Sequence, residues 1–155
     1  MNEHGWIVPD WPAPPQVRAL ITTRAGGASG GVYAGLNLGL NSGDDIDAVA
    51  QNRANLRQWL PAEPLWLRQV HGTSVVDAAA VDATPEADAA FARRPGTVCA
   101  ALTADCLPLL LCDAAGTTVA AVHAGWRGLC AGGIEKALLA IDLAQQSLLA
   151  YLGHA

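Results

Sequence analysis

The chain has few cations and no long apolar run. Of its 155 residues, nine are Lys or Arg and 14 are Asp or Glu, and Lys136 is the only lysine. Proteins that bind nucleic acid through phosphate contacts carry a basic patch, so this composition argues against a nucleic-acid partner. The longest apolar run, from Leu107 to Cys112, is far shorter than the roughly 20 residues of a membrane-spanning helix. We therefore expect no membrane partner.

Cysteine and histidine are also scarce, with four of each. No two cysteines have the spacing of a zinc ribbon or finger. The segment from Met1 to Trp6 lacks a basic region followed by an apolar one, so we expect no secretory signal, no structural disulfide and a cytoplasmic protein. Cys99, Cys112 and Cys130 lie among small apolar residues, and we expect them to be buried and inert.

Hydrophobic patterning and turn residues predict an α+β fold in a single domain over residues 1–155, with mixed β-sheet layers and flanking helices. The Gly- and Asn-rich residues 24–43 predict a long structured loop. Asp44 or Asp45 is expected to begin a helix that runs from about Ile46 to Leu60, and Gly116 indicates a hairpin. Further patterns predict strands over residues 17–23, 65–70, 74–77, 97–102, 107–112, 117–122 and 147–152, an irregular segment over 78–95, and a helix over 129–143.

Three short blocks place a chemically active side chain beside an apolar run. They cover residues 69–72, 103–108 and 122–128, and they carry His71, Cys106 and His123. Two imidazoles and one thiolate are a suitable donor set for a zinc ion with one position left open for water. The same side chains also suit a Cys–His nucleophilic pair. The residues alone leave both interpretations open.

Polar neighbours of these blocks are further candidates for the site. Asp105 directly precedes Cys106 and can orient a neighbouring group. Arg127 follows His123 in the third block, and its planar guanidinium suits an anionic substrate group. An equally good interpretation pairs Arg127 with an acid and packs Trp126 on a sheet. In the Gly-rich loop, Arg24 is a candidate counter-ion for phosphate.

The three blocks, with residues 24–29 and 36–39 upstream, resemble those of one bacterial family. This family is known as polyphenol oxidase or laccase-domain protein, as purine nucleoside phosphorylase and as peptidoglycan editing factor. The resemblance extends from about Trp6 to Gly153, and the three blocks in this order are highly specific. It implies a mixed architecture related to that of toxin-type cysteine hydrolases, with zinc bound by His71, Cys106 and His123.

The resemblance also implies an activity. It implies phosphorolysis of adenosine, inosine, guanosine and methylthioadenosine, and deamination of adenosine, with Arg24 and Asn37 near the pocket. One alternative is copper-dependent oxidation of phenols, although a multicopper centre needs many more histidines than the four present. Another alternative is a hydrolase that cuts an amide in peptidoglycan precursors, with Cys106 as nucleophile and His71 or His123 as base.

Two departures from the family pattern are visible. Asn41 stands where family members often carry a histidine after the block at residues 36–39. Residues 148–153 resemble a strand in the middle of the family fold, so we expect the C-terminal third of that fold to be missing. An apolar sheet exposed in this way predicts either a less stable monomer or a homodimer.

Overall fold

The computed structural model describes residues 4–142 and 147–154. The described chain divides into two compact units. The first unit comprises residues 4–10 and 19–61, and the second comprises residues 11–18 and the described residues from 62 onward. A single domain over residues 1–155 and a missing C-terminal third stay predictions.

The first unit contains helix α1 (Ile46–Arg57). Asp45 caps the helix as predicted, since its carboxylate accepts a hydrogen bond of 2.9 Å from the backbone N–H of Asp47. The helix ends three residues before the predicted Leu60. It buries Val49 and Leu56 within the unit. The unit also contains one short 3-10 turn, Gly31–Tyr33.

The Gly-rich loop is structured, as predicted, and α1 organises it through one buried side chain. The carboxamide of Asn52 accepts a hydrogen bond of 2.6 Å from the Ala28 N–H. It donates to the Ser29 hydroxyl at 2.9 Å and to the carbonyls of Gly35 and Asn37 at 3.3 and 2.8 Å. Asn52 is fully buried, and all its hydrogen bonds close the loop upon the helix that follows it.

The second unit is built on a five-stranded mixed sheet. Its strands are β1 (Val75–Asp77), β2 (Ala89–Ala92), β3 (Leu107–Asp113), β4 (Val119–Ala124) and β5 (Leu148–Leu152). Their order across the sheet is β1-β2-β4-β3-β5. β1 and β2 pair in parallel, and the other three pairings are antiparallel. The predicted α+β class with a mixed sheet is confirmed, whereas the relation to toxin-type cysteine hydrolases stays a prediction.

Two helices follow β4 where one was predicted over residues 129–143. They are α2 (Trp126–Cys130) and α3 (Gly133–Ile141), and Gly132, with φ of 82°, separates them. Ala137 and Ile141 on α3 are almost fully buried against the apolar side chains of the sheet. Helix and sheet thus share one apolar core, and Leu143 lies outside the described residues.

Several of the predicted strand positions were wrong. Residues 65–70 and 97–102 are extended but form only isolated bridges, Leu65 with Cys99 and Arg68 with Glu86. The segment 78–95, predicted to be irregular, contains β2. β4 begins two residues later than predicted. Segments that pair with distant partners carry little local pattern, which explains these errors.

The turn between β3 and β4 confirms the predicted hairpin at Gly116, which has φ of 69°. The buried carboxylate of Asp113 accepts hydrogen bonds from the backbone N–H groups of Thr117 and Thr118 at 2.7 and 2.9 Å, and from the Thr117 hydroxyl at 2.6 Å. Burial acts to raise the pKa of Asp113, but these hydrogen bonds outweigh it and hold the pKa below its usual range. The ionised form therefore stabilises the hairpin.

A carboxylate with a lowered folded-state pKa stabilises the protein above its unfolded pKa, and this contribution is lost as pH falls through the folded pKa. We therefore expect the urea midpoint of unfolding to fall below about pH 4. In Asp113→Asn, the urea midpoint should fall less over the same pH range. Unfolding curves at a series of pH values measure the effect, with the exposed Asp82→Asn as the control. An unchanged profile in Asp113→Asn would contradict the assignment.

Candidate metal centre

His71 lies in a tight turn between the extended segment 65–70 and β1. Its φ is 58°, a left-handed conformation that residues other than glycine adopt rarely. The side chain is exposed. A strained backbone at one of the three sequence-predicted residues is consistent with a functional turn.

Cys106 and His123 are brought together by the pairing of β3 with β4. Cys106 directly precedes β3, and His123 lies one residue before the end of β4. The register pairs Pro108 with His123 and Leu107 with Ala124. The start of one strand therefore meets the end of the other. His123 is buried, whereas Cys106 is half-buried.

The three predicted residues converge. One ligand atom from each of His71, Cys106 and His123 lies within 4.8 Å of the others. The Cys106 Sγ is 3.9 Å from the His71 Nε2, and the two imidazole ring centroids are 4.8 Å apart. Within the described ranges 4–142 and 147–154, no other set of three such side chains is arranged in this way.

Gly125 lets the backbone pass close to these three side chains. A Cβ atom at this position would lie 2.9 Å from the His71 Cδ2, 3.1 Å from the Cys106 Sγ and 3.5 Å from the His123 Cε1. The first two distances are too short for ordinary packing, so a side chain here would crowd the cluster. Two imidazoles and one thiol whose ligand atoms lie this close together fit a zinc ion that keeps one position open.

Asp88, which the sequence analysis did not single out, supports both histidines. Its carboxylate accepts hydrogen bonds from the backbone N–H groups of Val70, His71 and Gly72 at 3.2, 2.9 and 2.7 Å. Its Oδ1 also lies 2.8 Å from the His123 Nδ1. Asp88 is 2% exposed. One buried carboxylate therefore holds the turn that carries His71 and the ring of His123.

The ionisation of Asp88 determines which nitrogen of His123 carries the proton. Burial acts to raise the pKa of Asp88, but the hydrogen bonds from His123 and from the backbone of Gly72, Val70 and His71 outweigh it. The pKa of Asp88 is therefore lower than usual, and its ionised carboxylate accepts a hydrogen bond from a protonated Nδ1 of His123. This tautomer leaves the Nε2 lone pair of His123 available as a ligand.

Other predicted residues of this unit lie close in sequence to the cluster but differ in their contacts. The thiol of Cys106 donates a weak hydrogen bond to the Asp105 Oδ1 at 3.7 Å. Arg127 is exposed on α2, with its guanidinium carbon 5.4 Å from the Trp126 ring centroid. Both stay predictions as site residues. Trp126 is 68% exposed and does not pack on the sheet as the alternative interpretation held.

The remaining cysteines follow the prediction only in part. Cys112 is buried and Cys99 is half-buried, but Cys130 is exposed, so its predicted burial was wrong. Burial raises the pKa of the Cys99 thiol to about 12. Thiols of this kind react slowly, so Cys130 and Cys106 are the cysteines most open to reagents.

Arg24 and Asn37 lie in the first unit and are used within its loop. Arg24 donates to the Ala34 carbonyl at 3.2 Å. The Asn37 amide donates to the Ser42 hydroxyl at 2.8 Å and to the Asp44 Oδ2 at 2.9 Å. These contacts give both side chains a role in the loop, and their role in binding substrate stays a prediction. Asn41 in the same loop is exposed.

A sequence signal for Asp88 exists but is weak. The residue is a single acid within the run Ala87-Asp88-Ala89-Ala90, where a strand of small apolar residues begins. A carboxylate at such a position indicates either a turn or a buried acceptor, and the sequence alone favours neither. Its partners are 16 to 35 positions away in the chain, so no local pattern identifies them.

The chain is similar to known proteins over nearly its whole length. Residues 18–155 match a family described as multi-copper polyphenol oxidoreductase laccase. A purine nucleoside phosphorylase of Pseudomonas aeruginosa is 48% identical, over 98% of this chain and 62% of its own length. One of Escherichia coli is 49% identical, over 96% and 63%. This chain thus spans less than two thirds of the length of these curated relatives.

Solved structures show the same fold. A Neisseria meningitidis protein superposes with a TM-score of 0.91 at 48% sequence identity, covering 96% of this chain and 62% of its own. The protein YlmD of Geobacillus stearothermophilus superposes with a TM-score of 0.80 at 30% identity, covering 94% and 62%. Among the described residues, no helix has the length and apolar character needed to cross a membrane.

Proposed function

Because this chain belongs to the multi-copper polyphenol oxidoreductase laccase family, in which curated relatives are named purine nucleoside phosphorylases, we propose that it carries the metal centre of a zinc-dependent purine nucleoside phosphorylase. In this reaction phosphate replaces the purine at the ribose carbon, so the glycosidic C–N bond breaks as a C–O bond forms. The proposal includes hydrolytic deamination of adenosine at the same site.

One observation carries the proposal: His71, Cys106 and His123 present their ligand atoms within 4.8 Å of one another. Zinc binds such mixed nitrogen and sulfur sets, and a catalytic zinc ion keeps one position open. When bound, the ion would supply Lewis acidity that favours charge on a substrate or water oxygen. The neighbouring Gly125 has no Cβ that would crowd these side chains.

The side chains around the cluster have distinct tasks in this proposal. Asp88 holds the Nδ1 proton of His123 and the turn of His71, which keeps both imidazoles in place. Arg127, exposed next to the centre in sequence, binds phosphate through its planar guanidinium. Asp105 orients the thiol of Cys106 through their weak hydrogen bond. In the first unit, Arg24 and Asn37 bind substrate in the proposal.

Copper-dependent oxidation is the second candidate, and the description of the matching family favours it. The same two imidazoles and one thiolate bind Cu²⁺ more strongly than Zn²⁺ in general. A single three-residue group among the described residues is too small for several copper ions. The bound metal therefore decides between the two candidates.

A Cys–His hydrolase is the remaining alternative, favoured by the 3.9 Å between the Cys106 Sγ and the His71 Nε2. A nucleophilic cysteine needs a lowered pKa. Here partial burial raises the pKa of the Cys106 thiol, and the charge and hydrogen bond of Asp105 and the charge of Asp88 raise it further. Without a metal ion, this electrostatic environment disfavours the free thiolate that a nucleophilic cysteine needs.

The decisive experiment is elemental mass spectrometry of the chain purified without added metal. About one zinc ion per chain supports the proposed centre, and stoichiometric copper supports the oxidase candidate. No metal, together with alkylation of Cys106 in a Cys130→Ser background, would support the hydrolase instead. The Cys130→Ser change removes the exposed thiol, and the high pKa of the half-buried Cys99 makes that thiol slow to react, so alkylation reports on Cys106.

An activity assay then tests the reaction itself. The zinc-loaded chain is incubated with inosine and inorganic phosphate, and hypoxanthine is measured by chromatography. Hypoxanthine that forms only when phosphate is present supports phosphorolysis. Zinc bound without turnover would limit this chain to the metal centre, since it spans 62% of the length of a curated relative.

A further inference from the structure

Gln69, in the first of the three blocks, binds through its side chain to Leu102, which directly precedes the second block. Its Nε2 donates to the Leu102 carbonyl at 2.7 Å, and its Oε1 accepts from the Leu102 N–H at 2.7 Å. Gln69 is two residues before His71, and Leu102 is four residues before Cys106. The two-point contact therefore links the segment that carries one ligand to the segment that carries another.

The link takes the place of backbone pairing between the two segments, which does not extend as far as Gln69. Leu65 and Cys99 form a parallel bridge, and the Leu65 N–H donates to the Val98 carbonyl at 3.0 Å. Further along, the Gln69 carboxamide provides the donor and the acceptor that a backbone would provide in a strand. The two segments therefore stay connected although the backbone turns into the left-handed conformation at His71.

Asp88 and Gln69 support different pairs of ligands. Asp88 holds His71 and His123 relative to each other. Gln69 holds the His71 segment to the Cys106 segment. We infer that Gln69 is a positioning residue that sets the distance between the Cys106 Sγ and the His71 Nε2 and thereby raises the affinity for the metal ion. This inference rests on the proposed function, because it requires the metal centre.

Titration with Co²⁺ tests the inference without any nucleoside. Cobalt reports its binding by absorbance, and the thiolate-to-cobalt band reports ligation by Cys106. We expect Gln69→Ala to lower cobalt affinity by roughly 10- to 100-fold, as loss of an outer support of a metal ligand does, and to weaken the thiolate band per bound cobalt. Gln69→Glu keeps the size of the side chain but places a carboxylate oxygen against the Leu102 carbonyl. It should lower the affinity similarly, which provides a second variant if Gln69→Ala fails to fold.

Arg68→Ala is the matched control in the same segment. The Arg68 side chain forms an exposed ion pair with Glu86, and this pair does not involve Leu102. We expect the cobalt affinity and the thiolate band of Arg68→Ala to equal those of the unchanged chain. Far-ultraviolet circular dichroism checks that each variant is folded at the temperature of the titration.

A double-mutant cycle separates positioning from a general structural role. If Gln69 acts by placing Cys106, then Gln69→Ala should change cobalt affinity by less than about twofold in a Cys106→Ala background. An equal loss in both backgrounds, or an unchanged affinity in Gln69→Ala alone, would overturn the inference. Failure of the unchanged chain to bind cobalt would overturn the proposed centre as well, so the two failures are distinguishable.

Discussion

Replacing Cys106 by Ala is expected to weaken metal binding so far that zinc is lost on dialysis and, with it, the proposed nucleoside phosphorolysis. The thiolate is the soft member of the set. Its loss leaves only two protein ligands, His71 and His123, which is fewer than zinc sites in proteins use. Since loss of an outer partner alone lowers metal affinity 10- to 100-fold, we expect a decrease of more than about 100-fold here. Zinc content after dialysis against a weak chelator measures the effect.

Cys130→Ala is the control for this experiment. Cys130 is exposed on α2 and is not part of the three-residue group, so the variant should retain zinc and activity like the unchanged chain. If Cys106→Ala kept one zinc ion per chain, the proposed ligand set would be wrong. If it lost phosphorolysis but kept zinc, Cys106 would contribute to the reaction other than as a metal ligand.

Asp88→Asn is expected to weaken both the metal centre and the fold. The carboxylate accepts hydrogen bonds on both oxygens, from His71 and His123 on one and from Val70 and Gly72 on the other. An amide has one oxygen, so one pair of N–H groups would face an NH₂ group that cannot accept. If the NH₂ group of the introduced asparagine faced the His123 Nδ1, it would favour the tautomer that carries its proton on Nε2. A protonated Nε2 cannot bind a metal ion.

We expect Asp88→Asn to lower zinc affinity roughly 10- to 100-fold and to reduce the free energy of unfolding by about 1–3 kcal/mol, the range for a buried hydrogen-bonding group left without its partner. Competition with a coloured chelator measures the first, and urea unfolding of the metal-free chain measures the second. The exposed Asp82→Asn serves as the neutral control.

Asp105→Asn provides a direct comparison, because Asp105 is the carboxylate predicted to orient Cys106, whereas Asp88 contacts His71 and His123. Asp105 is exposed and forms only a 3.7 Å contact with the Cys106 thiol. We therefore expect a smaller loss of zinc affinity than in Asp88→Asn. A larger loss in Asp105→Asn would reverse this ranking.

The parts of the fold that were predictable are those with local causes. Helix α1 begins at a capping aspartate, and the β3–β4 hairpin turns at a glycine with positive φ. Strand β2 was missed because its Ala-rich sequence lacks the β-branched residues that mark strands. The extended segment 65–70 looked like a strand, yet it forms isolated bridges and one side-chain link.

The sequence by itself determined the three ligand-bearing blocks and the mixed α+β class, because ligand chemistry and short-range periodicity are properties of neighbouring residues. Only the tertiary structure decided how the candidate ligands are held. Asp88 meets His71 and His123, and Gln69 meets Leu102, across 17 to 35 positions of the chain. A hydrogen bond between distant segments depends on strand order and register, and these follow from packing of the whole sheet rather than from any local run of residues.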